Sequence, residues 1–183
     1  MQYKKMILPN GLRIVLEEIP YVQSVSMGVW IQAGSRNEQP ELKGISHFIE
    51  HMAFKGTGRR SARDIAEEID NVGGQLNAFT GKECTCYYAK ILNSHMELAF
   101  DILSDMLFCS EYSDLEIDKE KNVICEEINM YEDSPEEIVH DIYASNVFKH
   151  HPLGFPVLGD LETVMRIKRS DILEYLRENY RPD

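Results

Sequence analysis

Two histidines and a glutamate stand within one short segment of the first third of the chain. The segment reads His47-Phe48-Ile49-Glu50-His51. In a helix, His47 and His51 lie about one turn apart on the same face, where two imidazoles can bind one metal ion. Glu50 stands beside that face, and a carboxylate there can take a proton from water and give it to a leaving amine. The spacing therefore predicts a metal site with hydrolytic chemistry.

The alternative interpretation is a buried helix whose histidines are satisfied by ordinary hydrogen bonds. Burying two imidazoles and a carboxylate together is costly unless they have strong partners. The surrounding residues nonetheless make this segment apolar on most sides: Ile45, Phe48, Ile49, Met52 and Phe54. We therefore expect a bound metal, with zinc as the ion that favours such nitrogen ligands.

A catalytic zinc site needs a third protein ligand and leaves one position open for water. A helix predicted from Ser113 to about Tyr131 places two acids among apolar residues on one stripe: Glu120, Val123, Ile124, Glu127 and Tyr131. The two acids are two turns apart and point the same way, whereas Glu126 is turned about 100° away. The alternative is an exposed acidic helix. We predict Glu127 as the ligand and Glu120 as its support.

The elements that must position these residues follow from turn signals and periodicity. Helical spacing predicts a helix over 43–55 that carries the histidines, and Ser61 caps a second helix with Asp64 as its capping partner. Strands are expected on both sides of Pro9-Asn10-Gly11 and over residues 24–32, 75–80 and 84–92. Further helices are expected over residues 94–108 and 113–131, from Pro135, and over 170–180.

The order of these elements predicts an α+β fold, with a mostly antiparallel sheet packed against several helices. A chain of 183 residues fits one domain, and we expect residues 1–183 to form it. The sequence has no run of eighteen apolar residues, so no membrane partner is expected. A net charge of −12 repels phosphate backbones and argues against nucleic acid as a partner.

The histidine segment resembles a known peptidase family. The inverted H-x-x-E-H motif is the signature of the inverzincins. Residues 47–57 are similar to the active-site helix of the pitrilysin family, and most closely to the mitochondrial processing peptidase β-subunit and its bacterial relatives. That family carries a distal glutamate followed seven residues later by a second one, and Glu120 and Glu127 match this pair. The resemblance covers essentially the whole chain.

The resemblance implies a role for each matching residue. His47, His51 and Glu127 would bind one zinc ion per chain, Glu50 would be the general base, and Glu120 would help to hold the site. A further similar segment begins at Gly73-Gly74 and resembles a strand that the family uses as an open edge for peptides. It contains the residues implied in peptide binding, which are Asn77, Ala78, Phe79 and Thr80. The alternative is that this segment is only part of the sheet.

Family members have two similar lobes that close over the substrate, and this sequence resembles the first lobe alone. The resemblance implies a zinc-dependent endopeptidase lobe whose partners are an unfolded peptide and a second lobe or subunit, with a homodimer left open. The alternatives are a non-catalytic peptide-binding lobe and a structural metal-binding lobe. The start of the chain lacks a targeting pattern, so we expect the bacterial cytoplasm.

Overall fold

The structure, a computed structural model, describes residues 3–182. It contains two separate antiparallel sheets. The first is the hairpin of β1 (Tyr3–Ile7) and β2 (Arg13–Glu17). The second has the order β3–β5–β4 and consists of β3 (Ser24–Ile31), β4 (Gln75–Thr80) and β5 (Thr85–Leu92). Because β5 is central, β4 is an edge strand of this sheet within the described residues.

Seven α-helices accompany the sheets within residues 3–182. The first four are α1 (Ile45–Ala53), α2 (Ala62–Asp70), α3 (Met96–Cys109) and α4 (Asp114–Glu132). The last three are α5 (Pro135–Val147), α6 (Leu161–Arg166) and α7 (Arg169–Asn179). The predicted α+β fold is confirmed. None of the helices in the described part of the chain has both the length and the apolar character needed to cross a membrane.

Helix α1 is shared between the two apolar clusters that hold the fold together. Its residues Phe48 and Met52 pack in a cluster with α4 and α7. Ala53, at its end, packs in a second cluster that joins α2 and α3 to the inner face of β5. Phe48 is fully buried, and burying a side chain of that size stabilises the fold by about 2–3 kcal/mol. The helix with the histidine motif is therefore fixed by packing along its whole length.

One expectation about the helices needs correction, and one helix was not expected. Val123 was expected on the inner stripe of α4, but it is 51% exposed, because the buried face runs through Ile117, Ile124 and Ile128. The short helix α6 was not predicted. Its N-terminus has a capping box in which Asp160 accepts a hydrogen bond from the Thr163 backbone. This capping pattern is present in the sequence, but the helix that follows has only six residues.

Candidate metal centre

The N-terminus of α1 is held by a buried carboxylate from the preceding loop. Glu38 accepts hydrogen bonds from the backbone N–H groups of Gly44 at 2.8 Å and Ser46 at 2.9 Å. Burial raises the pKa of Glu38, although these two donors act in the opposite direction. The Ser46 hydroxyl also lies 2.8 Å from the Tyr175 hydroxyl of α7. These contacts satisfy backbone donors that the helix leaves free and fix its first turn.

Gly44 stands at the start of α1 with φ of 87°, in the left-handed region that favours glycine. A Cβ atom at this position would lie 2.6 Å from the carbonyl oxygen of Leu158. The loop before α6 therefore packs directly against the entry to the helix, and only glycine fits between them.

The structure brings the three predicted metal ligands together. His47 Nε2 lies 3.2 Å from His51 Nε2, and Glu127 Oε2 lies 3.4 Å from His51 Nε2 and 3.8 Å from His47 Nε2. In a tetrahedral site with zinc bonds of about 2.1 Å, neighbouring ligand atoms are about 3.4 Å apart. The triangle thus has the size that one zinc ion requires. No other group of three potential ligands is found within residues 3–182.

The protonation of the histidines suits metal binding. Burial and the neighbouring His51 lower the pKa of His47 to about 3, so its ring is neutral near pH 7. A neutral imidazole is the form that binds a metal. His47 Nδ1 is buried without a hydrogen-bond partner in the described part of the chain. The other two members of the triangle, His51 and Glu127, are partly exposed.

Glu120 contacts the ring nitrogen of His51 that lies on the side away from the triangle. Its Oε1 lies 2.8 Å from His51 Nδ1, and its Oε2 lies 2.6 Å from the Lys55 ammonium. Burial alone raises the pKa of Glu120, but the hydrogen bonds with His51 and Lys55 outweigh this and hold the pKa below its usual range. Hydrogen bonding at Nδ1 directs Nε2 of the same ring towards the triangle.

Lys55 forms an ion pair with Glu120 that was not predicted from the sequence. It stands four residues after His51, just beyond the end of α1, so it continues the face that carries the two histidines. That spacing was the available signal. Glu126, expected to be the poorer ligand candidate, is exposed and does not belong to the triangle.

Glu50 lies between the triangle and the edge strand. The Thr80 hydroxyl donates a hydrogen bond of 2.5 Å to Glu50 Oε2. Burial raises the pKa of Glu50, while the Thr80 hydrogen bond and the charge of His51 lower it and the charge of Glu127 raises it. A carboxylate with a raised pKa, next to a group of metal-capable side chains, is suited to taking up and releasing a proton.

The four residues predicted for peptide binding all lie in β4. Asn77 and Phe79 are on the exposed face of the sheet, whereas Ala78 and Thr80 turn towards the helices. Phe79 packs edge-on against Trp30 of β3, with 5.5 Å between the ring centroids. The strand runs towards Glu50, because its last residue is Thr80. An edge strand of this kind can pair with an extended peptide.

The remaining histidines and the cysteines lie outside this group. His140, His150 and His151 are exposed and His95 is partly exposed, and none of the four is part of the triangle. All four cysteines are free: Cys84, Cys86, Cys109 and Cys125.

Comparison with known proteins identifies the family. The chain is 53% identical over 180 residues to the zinc protease YmxG of Bacillus subtilis (98% of this chain, 44% of that protein). It is 43% identical over 173 residues to a probable mitochondrial-processing peptidase subunit beta of Arabidopsis thaliana (94% of this chain, 33% of that protein). It therefore spans less than half the length of these relatives.

A solved structure and a family match complete the comparison. A protease from Helicobacter pylori shares the fold, with a TM-score of 0.94 at 23% identity, over 99% of this chain and 44% of that one. Residues 13–161 match the insulinase family of peptidases, family M16. The expected resemblance is confirmed: the chain belongs to the insulinase, or pitrilysin, family of peptidases, and its relatives include zinc proteases.

Proposed function

We propose that this chain is the catalytic lobe of a zinc-dependent endopeptidase that hydrolyses extended peptides. The observation that carries the proposal is the triangle of His47 Nε2, His51 Nε2 and Glu127 Oε2, with Glu50 beside it. The relatives named as zinc proteases support the same metal and the same class of reaction.

His47, His51 and Glu127 would hold one zinc ion per chain. A zinc ion bound there would polarise the scissile carbonyl and lower the pKa of a water molecule in the open position. Glu120 would keep the His51 ring in one tautomer, because it accepts the Nδ1 proton. Three ligands leave a position free, which supports a catalytic site over a structural one closed by a fourth side chain.

Glu50 would transfer the proton during hydrolysis. Its carboxylate accepts a proton from the attacking water and then delivers that proton to the nitrogen of the leaving amine. Glu50 stands next to His51 along α1 and accepts a hydrogen bond from Thr80, which supports a role between the proposed metal ligands and the strand that would align the peptide.

The peptide would add to the sheet beside β4 as a further antiparallel or parallel strand. Of Asn77, Ala78, Phe79 and Thr80, alternate residues would direct their backbone groups away from β5, pair with the peptide and hold it extended, largely independently of its sequence. The relatives are more than twice as long as this chain, so we propose that a second lobe or subunit closes over the peptide. The alternative, a lobe that binds peptides without cleaving them, does not account for the position of Glu50 beside three metal-capable side chains.

The proposal is tested first by metal content and metal dependence. We expect the purified chain to carry one zinc ion, measured by inductively coupled plasma mass spectrometry. The full-length protein should hydrolyse a fluorogenic peptide, lose this activity on dialysis against a chelator and recover it when zinc is returned. Hydrolysis that continues at the same rate after the metal has been removed would contradict the proposal.

Peptide binding at β4 is tested by the fluorescence of Trp30, which is the single tryptophan of the chain. Trp30 is 65% exposed and its ring contacts Phe79 of β4, so a strand added at this edge should change the surroundings of the ring. We expect titration with a tryptophan-free extended peptide to shift or quench the emission of the 183-residue chain. A control peptide with every backbone nitrogen methylated cannot donate hydrogen bonds to the strand from either edge, and an equal change with this control would argue against pairing at β4.

A further inference from the structure

We propose that Thr80 is a positioning residue for Glu50 and couples the strand that aligns the peptide to the carboxylate that moves the proton. The inference rests on the proposed function, because it takes Glu50 as the general base. It goes further by giving the last residue of β4 a role in the chemical step, in addition to the peptide binding expected from the sequence.

The hydrogen bond between these residues has a defined direction. A threonine hydroxyl has a single proton, and that of Thr80 is donated to Glu50 Oε2 at 2.5 Å. The neighbouring Thr85 hydroxyl lies 3.5 Å away, but its own proton goes to the carbonyl oxygen of Ala33 at 2.9 Å. Thr85 therefore does not donate its proton to Glu50, and the hydroxyl that donates to this carboxylate is that of Thr80.

The backbone and side chain of Thr80 are held by the sheet. Thr80 pairs with Thr85 in the register of β4 and β5, and Thr85 is fully buried. A β-branched side chain such as that of threonine has few accessible rotamers. The glutamate side chain is longer and freer, so the hydroxyl limits the orientations of its carboxylate. With Oε2 held by Thr80, Oε1 is the oxygen left to receive a proton from water.

The geometry also links the two halves of the site. Thr80 ends the edge strand on the side facing α1, whereas Phe79, one residue earlier, faces outwards. A peptide paired with β4 would thus be aligned by the same strand that orients the Glu50 carboxylate. The position of the peptide along the strand and the position of the proton acceptor are then set by one rigid element.

The inference is tested with Thr80→Val and Thr80→Ser in the full-length protein. Valine keeps the shape of threonine and removes the hydroxyl, and serine retains the hydroxyl. Loss of a hydrogen bond to a charged group predicts a fall in kcat of about 10- to 100-fold for Thr80→Val. We expect its KM and zinc content to match the parent protein, and we expect Thr80→Ser to recover most of the lost kcat.

A Thr80→Val protein with the kcat of the parent would overturn the inference, as would a change confined to KM, which would restrict Thr80 to peptide binding. Thr80→Ala removes the same hydroxyl and gives a second measurement if valine disturbs the strand. Glu50→Gln is measured in parallel. If that variant keeps the parent rate, the proposed role of Glu50 fails; if it is inactive while Thr80→Val is unaffected, only the positioning role of Thr80 fails.

Discussion

Replacing Glu50 with glutamine in the full-length protein should lower kcat by about 10²- to 10⁴-fold while leaving the zinc content unchanged. Glutamine has nearly the same size as glutamate and can still accept the hydrogen bond that Thr80 donates, so the site should keep its shape. It cannot take a proton from water. The rate of peptide hydrolysis and the zinc content of the same preparation are the two measurements.

A matched control is Glu41→Gln, which makes the same chemical change at an exposed position before α1. We expect this control to retain the rate and the metal of the parent. Normal cleavage by Glu50→Gln would remove Glu50 from the proposed mechanism. Loss of zinc by Glu50→Gln would instead show that Glu50 supports the metal and not the proton transfer.

Replacing Glu127 with glutamine should weaken zinc binding by more than about 100-fold, the upper end of what is typical for residues that only support a ligand. The change removes the one negatively charged member of the triangle, whose Oε2 lies 3.4 Å from His51 Nε2. An amide oxygen is a much weaker ligand for zinc than a carboxylate oxygen. The affinity is measured by competition with a chromophoric chelator.

The adjacent Glu126 provides an unusually close control for this experiment. Glu126→Gln removes the same charge from the same turn of α4, but the side chain is exposed and outside the triangle. We expect zinc affinity close to that of the parent protein. Equal losses of zinc affinity in both variants would show that the total negative charge of α4 matters and not a specific ligand. A zinc affinity of Glu127→Gln equal to that of the parent protein would exclude Glu127 as a ligand.

The sequence predicted the parts of the fold and site that depend on local periodicity. His47 and His51 are one helical turn apart, and the phase of α4 was enough to prefer Glu127 over Glu126. Strand β4 spans the residues that its flanking turns predicted. These features follow from spacing within one element, so no knowledge of the tertiary structure was needed.

The contacts that complete the site depend on how separate elements pack. The link from Thr80 to Glu50 joins residues 30 positions apart, and the ion pair between Lys55 and Glu120 joins two different elements. Glu38 lies in the loop before α1, where it is 3% exposed and accepts hydrogen bonds from the first turn of the helix. Neither composition nor periodicity encodes such contacts, because they arise from docking of one element on another.

The residues that support α1 come from several separate parts of the chain, and this has a consequence for protein engineering. A designer who transplanted the five residues from His47 to His51 into a foreign scaffold would move two of the three metal-capable side chains, without Glu127 and without the residues that support them. The carboxylate before the helix, the lysine after it, the glutamate on α4 and the threonine on β4 come from four other places in the chain. The smallest unit that could transfer the site to another protein is therefore the whole folded lobe, because the five-residue motif lacks the residues that hold it in place.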